Sequence, residues 1–187
     1  MPLDLSAVDL TTEEIRTERL LLRPFRPDDE VAVLRGCQDA DVQYWISVIP
    51  SPYTREDARE YVTRTAPAER SEGRGLSVAV EAGGVLVGSS GLAFGGGRLG
   101  PEIGYWIAAE ARGNGYAAET TRALAEWAFG HGSPRVHLWV DVENAPSRAT
   151  ARRAGFTQEG VVRAALDRRD GSRADAVLFG RLPAGAE

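Results

Sequence analysis

Eleven of the chain's 21 glycines fall between Gly83 and Gly115, and they separate two kinds of pattern. Before and within this stretch, Leu76-Ser77-Val78-Ala79-Val80 and Val85 to Leu92 alternate as strands do, with Gly83-Gly84 between them as a two-residue hairpin signal. Gly95-Gly96-Gly97 reads as a flexible turn and Glu102 to Ile107 as a further strand. After it, Tyr116 to Phe129 has a helical period, with Ala117, Thr121, Leu124 and Ala128 on one face and Gly130 and Gly132 as its stop. The run Arg112-Gly113-Asn114-Gly115 must therefore turn a strand into a helix within a few residues. Asn-Gly is also a favoured hairpin pair, but a hairpin needs a strand afterwards, and here a helix follows.

A turn of this kind has chemistry. The first N–H groups of a helix are unpaired and sit at its positive end, where they can hold a phosphate. Glycines let the backbone approach the anion closely, and Arg112 adds charge. The spacing alone suits an ordinary strand-to-helix turn equally well. A dinucleotide-binding fold is disfavoured, because Gly-x-Gly-x-x-Gly is absent and the preceding strands are not βαβ units.

The remaining elements frame this segment. Arg19 to Phe25 reads as a strand stopped by proline, and Pro27-Asp28-Asp29-Glu30 opens a helix whose apolar stripe is Val31, Leu34 and Cys37. Tyr44 to Tyr53 reads as a loop with buried anchors. Thr54 caps a second helix, with Asp57 three residues later as a partial capping box, and that helix ends before Pro67. Val136 to Val142 is a strand, Ala145 to Arg153 a short helix stopped at Gly155, and strands near Thr157–Val162 and Ala174–Arg181 are joined at Asp170-Gly171. The order β-α-α-β-β-β-α-β-α-β-β predicts a mixed α/β (α+β) sheet, antiparallel at first, flanked by helices. Residues 1–15 read as a polar lead-in, 16–182 as a single domain and 183–187 as a frayed tail.

Composition removes several classes of function. All 22 basic residues are arginine, so no lysine is present for a Schiff base or a Walker-type phosphate loop. A net charge of −5 argues against nonspecific nucleic-acid binding. Cys37 is alone, so no intrachain disulfide forms, which suits a reducing, cytoplasmic setting. One cysteine with His131 and His137 argues against a zinc site. No apolar run approaches the roughly 18 residues of a membrane span, and the acidic N-terminus lacks the basic start of a signal peptide.

Arg112-Gly113-Asn114-Gly115-Tyr116-Ala117 resembles the Arg/Gln-x-x-Gly-x-Gly/Ala signature of the GCN5-related N-acetyltransferase (GNAT) superfamily. The resemblance covers nearly the whole chain. Thr17 to Pro24, Glu102 to Ile107, Asn144-Ala145-Pro146-Ser147 and Ala154-Gly155-Phe156 are similar, in order and spacing, to its RimJ/RimL-type branch, which includes ribosomal-protein N-terminal acetyltransferases. The resemblance implies a mostly antiparallel sheet, splayed at its centre between Glu102–Ile107 and Val136–Val142. It implies acyl transfer from acetyl-CoA, or another acyl-CoA, to a primary amine. Backbone N–H groups of residues 112–117 would hold the pyrophosphate, and Ile107 the pantetheine arm through its backbone. A backbone N–H in the gap would steady the oxyanion.

Single residues take roles within that resemblance. Glu102 would accept the amine's proton, directly or through water; its alternative is a rim acid paired with an arginine. Asn144 would hold pantetheine through its amide, and is equally good as a helix N-cap. Ser147 would lie near the thioester sulfur and donate to the departing thiolate; the alternative is a solvent-facing first-turn serine. Many superfamily members carry a tyrosine acid four residues before the Gly-Phe pair, where this chain has Ala151, so no tyrosine donor is assigned. Arg148, Arg152 and Arg153 form a basic cluster that could reach the 3′-phosphate of CoA. His137 reads as a packed or edge histidine and Cys37 as core. Trp45 and Tyr53 stand where this family builds its acceptor wall.

Together these give an acyl-CoA-dependent N-acyltransferase acting by direct attack in a ternary complex, as a monomer or homodimer, with no metal, nucleic-acid or membrane partner. The acceptor is a protein N-terminus or a small-molecule amine. Two alternatives stand beside it: succinyl-CoA as donor, needing an arginine such as Arg74 or Arg98 for the extra carboxylate, and a CoA-binding sensor without turnover.

Overall fold

A computed structural model describes residues 3–95 and 97–185. Met1, Pro2, Gly96 of the expected glycine turn, and Ala186 and Glu187 of the expected tail lie outside the described residues. The described strands are β1 (Ile15–Arg16), β2 (Leu20–Arg23), β3 (Gly75–Ala82), β4 (Val85–Ala93), β5 (Glu102–Ile107), β6 (Val136–Asp141), β7 (Thr157–Asp167) and β8 (Arg173–Arg181). They form one sheet in the order β1-β2-β3-β4-β5-β6-β8-β7, antiparallel throughout except between β5 and β6. The helices are α1 (Glu30–Cys37), α2 (Ala40–Trp45), α3 (Arg55–Glu60), α4 (Ala66–Ser71), α5 (Tyr116–Gly130) and α6 (Ala145–Arg153). This is the mixed, mostly antiparallel, helix-flanked sheet that the sequence predicts.

Two apolar clusters sandwich the sheet. On one face, Ile103 and Ile107 of β5, Val136, Leu138 and Val140 of β6 and Phe179 of β8 pack against Leu124, Ala125 and Ala128 of α5. On the other, Trp106 of β5 meets Val33 and Cys37 of α1, Ala58 of α3 and Val62. Alternation along β5 thus sends Ile103, Tyr105 and Ile107 to the α5 face and Glu102, Gly104 and Trp106 to the α1 face. Gly36 is needed on α1, since a Cβ there would collide with the Trp106 ring.

Local chemistry sets most element ends. Gly83 and Gly84 have φ of 57° and 83°, the left-handed pair that a tight hairpin between β3 and β4 needs. At the start of α3, the Asp57 N–H donates to the Thr54 hydroxyl at 3.2 Å, and the Thr54 N–H donates to the Asp57 carboxylate at 2.8 Å.

Four expectations need correction. The buried stripe of α1 is Val33, Gly36 and Cys37, while Val31 is 65% exposed. The expected loop from Tyr44 overlaps the end of α2, which Asp39 caps by accepting the Val42 N–H at 3.1 Å. The helix begun at Thr54 does not end before Pro67: it passes through a π-helical turn at Tyr61–Thr65, where the Ala66 N–H reaches back to the Tyr61 carbonyl, and continues into α4 with Pro67 in its first turn. The supposed polar lead-in packs on the core through Leu3, Leu5, Val8 and Leu10.

Candidate active site

The one parallel neighbour pair is also the least complete. β5 and β6 share a single register pair, Glu102 with His137, where the His137 N–H donates to the Pro101 carbonyl at 3.0 Å. Beyond it the strands are not paired with each other. Each is held from its other side, β5 by β4 along Glu102–Ile107 and β6 by β8 along Val136–Asp141. The gap is therefore a fixed feature of the sheet.

The glycine loop lies past the open end of β5. A 3₁₀ turn at Ala109–Ala111 follows Ile107, and then Gly113 and Gly115 adopt φ of 81° and 79° before α5 begins. No side chain other than hydrogen fits such values without strain. The N–H groups of Gly113 through Ala117 have no acceptor among the described residues. Five donors thus sit together at the positive end of a 15-residue helix.

Arg112 departs from its expected part. Its own N–H donates to the Ala109 carbonyl at 3.3 Å. Its guanidinium donates to the Ile107 carbonyl at 3.1 Å and to Asp41 at 2.8 Å, and also pairs with Asp39. Burial pushes the Asp39 carboxyl up, but Arg112 and the Val42 N–H outweigh it and hold it below its ordinary value. Arg112 therefore ties the loop to α2, and its charge is spent on two carboxylates. The cation beside the loop is Arg19, which sequence reasoning treated only as the start of a strand. It lies over the Tyr116 ring at 5.1 Å and donates to the Asn114 carbonyl at 2.9 Å and to Glu119 at 2.7 Å. Burial raises Glu119, and the Thr17 hydroxyl and Arg19 outweigh that, leaving its carboxyl below its usual range.

Across the gap stands α6. Asn144 caps it, its side-chain oxygen accepting the Ser147 N–H at 3.0 Å, which leaves the amide NH₂ free to donate elsewhere. The Ser147 hydroxyl is 2.8 Å from the phenol oxygen of Tyr105, which reaches over from β5. Burial raises the Tyr105 phenol above its ordinary value. Ala151 is fully buried in the core. A tyrosine thus reaches the hydroxyl at the gap from a strand, three residues after Glu102, rather than from position 151. Only the three-dimensional splay brings it there, although its alternation with Ile103 and Ile107 already placed it on the α6 side. In the expected basic cluster, Arg148 donates to the Val142 carbonyl at 3.0 Å and Arg152 to Gln158 at 3.0 Å.

On the opposite sheet face, Glu102 has a half-exposed side chain, and a Cβ at Gly104 would meet nothing within 4 Å. This leaves an open floor along β5. One end of it is closed by the turn after β7: Arg169 donates to the carbonyls of Gln43, Ile46 and Ile49 at 3.1, 3.2 and 2.6 Å. Trp45 is half-buried, edge-on to Tyr44 with ring centroids 4.6 Å apart. Tyr53 does not line a wall. It is 7% exposed and packs in the core with Cys37. Burial raises its phenol, and burial likewise pushes the Cys37 thiol up to about 11, which makes it a poor nucleophile.

A family model described as an acetyltransferase (GNAT) domain matches residues 19–157, from the Arg19 that steadies the glycine loop to the end of the α6 region. The chain belongs to the GNAT family. It carries an acetyltransferase (GNAT) domain, and no described helix is long and apolar enough to cross a membrane. Among curated proteins it is 42% identical over 66 residues to YdaF of Bacillus subtilis (strain 168), a protein named for ribosomal N-acetyltransferase activity; the match spans 35% of this chain and 36% of that one. Among solved structures, RimJ of Mycobacterium smegmatis in complex with CoA-disulfide has a TM-score of 0.77 at 25% identity, covering 91% of this chain and 86% of that one. The ribosomal L7/L12 alpha-N-protein acetyltransferase RimL, in complex with coenzyme A, has a TM-score of 0.80 at 22% identity, covering 91% and 98%. The residues of this GNAT chain fit a CoA donor by their chemistry. Five unpartnered N–H groups suit a pyrophosphate, and an unpaired strand edge suits the amides of the pantetheine arm.

Proposed function

We propose that this protein moves an acetyl group from acetyl-CoA to the α-amine of a protein N-terminus by direct attack in a ternary complex. The observation that carries the reading is the fixed gap between β5 and β6, with the unpartnered N–H groups of Gly113 to Ala117 at its open end. Acetyl-CoA supplies the thioester carbonyl that the amine attacks. Gly113, Asn114, Gly115, Tyr116 and Ala117 hold the pyrophosphate through backbone N–H groups. The β5 edge near Ile107 and the Asn144 amide hold the arm, and a β5 N–H steadies the oxyanion. An ammonium ion does not attack, so Glu102, on the open face, takes the amine's proton through water. Ser147 donates a hydrogen bond to the thiolate as it leaves, and Tyr105 holds the Ser147 hydroxyl.

The relatives named for ribosomal N-acetylation support a protein acceptor over a small amine. The open floor at Gly104 is compatible with an extended chain end. The test is thiol release from acetyl-CoA, and separately from succinyl-CoA, with short peptides bearing free or blocked α-amines and with small amines. Mass analysis then locates the acyl group. Turnover of free-α-amine peptides with acetyl-CoA, lost on blocking, is the expected result. Turnover of small amines alone would replace the acceptor assignment, and binding of acetyl-CoA without turnover of any amine would overturn the reading.

A further inference from the structure

His137 is a buried titratable group that this mechanism leaves unused. Its side chain is 2% exposed, and its Nδ1 lies 3.1 Å from the Pro101 carbonyl oxygen. A carbonyl only accepts, so Nδ1 is the nitrogen that carries hydrogen in the neutral ring. The same carbonyl receives the His137 backbone N–H, which fixes strand and ring together. The remaining nitrogen, Nε2, then presents a lone pair, and 3.7 Å away it faces the Glu102 carboxylate. A lone pair opposite a carboxylate repels it. One proton placed between them turns the contact into an ion pair.

The surroundings leave that proton to these two groups. On β8, Gly180 stands directly opposite His137 and has no side chain; over it lies the ion pair of Arg135 and Glu159, 2.7 Å apart, whose charges match although the Arg135 Nε has no partner among the described residues. On β6, Trp139 meets the imidazole edge-on, with ring centroids 6.2 Å apart. Glu102 is half-exposed on the open floor, so it is the route between the buried ring and the cleft.

We infer that His137 is a positioning residue for Glu102, and that the two accept the acceptor's proton as a unit. This rests on the proposed role of Glu102. The acceptor ammonium gives H⁺ to the Glu102 carboxylate through water, leaving a neutral amine whose nitrogen lone pair attacks. Rotation of the half-exposed Glu102 side chain closes the 3.7 Å to hydrogen-bond distance, and the new carboxylic acid passes the same H⁺ to Nε2, which restores the carboxylate and forms an imidazolium with both ring nitrogens protonated. The proton later returns through Glu102 to solvent. No other reactant is consumed, and the amine stays free while the carboxylate is again an anion.

Two measurements test this. The first reads kcat/KM against pH for wild type, His137→Asn, Glu102→Gln and the double variant. Asparagine keeps a donor for the Pro101 carbonyl and removes Nε2. His137→Asn is expected to lower kcat about ten-fold and to move the acid limb of the profile, with the thermal shift by CoA unchanged. The double variant should be no slower than Glu102→Gln. A His137→Asn profile that superimposes on wild type, or additive losses in the double variant, would overturn the inference. The second needs neither activity nor a buried substitution. With only His131 and His137 in the chain, the ring signals are readily assigned by NMR. The His137 Nε2 signal should move between wild type and Glu102→Gln, while His131 does not change. Equal behaviour in both proteins would refute the pairing even if the enzyme proved active, and the expected difference would stand even if Glu102 proved dispensable for transfer.

Discussion

At the scale of single residues, the roles at the gap divide between two sheet faces. Tyr105 and Ser147 meet on the α6 side at 2.8 Å, while Glu102 and His137 sit on the other. If the Tyr105 phenol donates to Ser147, the serine's own hydrogen is free for the thiolate, and the two hydrogen bonds reinforce each other. Tyr105→Phe should then lower kcat roughly five-fold, the scale of one hydrogen bond of about 1 kcal/mol. It should cost nothing further in a Ser147→Ala background. Steady-state kinetics on the four proteins checks this, and independent, additive losses would contradict it. Glu102, Asn144 and Ser147 were legible as candidates because the resemblance to the GNAT superfamily gives those positions roles. Tyr105 was not, because its partner is 42 residues away and only the divergence of two parallel strands lets a strand residue reach a helix start. Tyr53 misled for a related reason: an aromatic beside a loop reads the same whether it faces the cleft or the core.

At the scale of elements, the glycine loop depends on its ties as much as on its glycines. Arg112 joins it to α2, and Arg19 joins it to β2 and α5. Since the Arg112 guanidinium is engaged by Asp39 and Asp41, Arg112→Ala should leave the affinity for CoA nearly unchanged. It should raise the acceptor KM by up to roughly five-fold, the scale of a partly exposed ion pair, because α2 carries Trp45. Calorimetric titration of CoA with initial-rate kinetics separates the two effects, and a ten-fold loss of CoA affinity would contradict the assignment. The limits of β5 and α6 were readable to the residue, since glycines and Asn144 punctuate both. Helix α2 was missed because six residues carry too little period to see, and its Asp39 cap was the available signal. The continuation through Pro67 was missed because proline ordinarily stops a helix interior, and the π-helical turn that shifts the hydrogen-bond ladder just before it leaves no signature in the sequence.

At the scale of the whole molecule, the N-terminal segment is tied to the sheet by contacts of long sequence separation. Arg70 is 2% exposed and donates to the carbonyls of Leu10, Glu13 and Ser77 at 2.6, 2.5 and 2.8 Å. It thereby pins the N-terminal segment to α4 and β3. That segment read as a polar lead-in because its four leucines and valines follow no helical or strand period, and the arginine that fixes it lies about 60 residues on. Arg70→Ala should cost about 3 kcal/mol by stranding three carbonyls, lowering Tm by roughly 6–12 °C for a chain of this size. A change under ~2 °C in a thermal melt would show the segment to be a passive strap. Every role assigned at the gap depends on where the donor sits. Amide hydrogen exchange with and without acetyl-CoA reads that position directly. Slowed exchange concentrated at residues 113–117 and along the β5 edge near Ile107 is the predicted result. Protection centred elsewhere, or none at saturating acetyl-CoA, would contradict it.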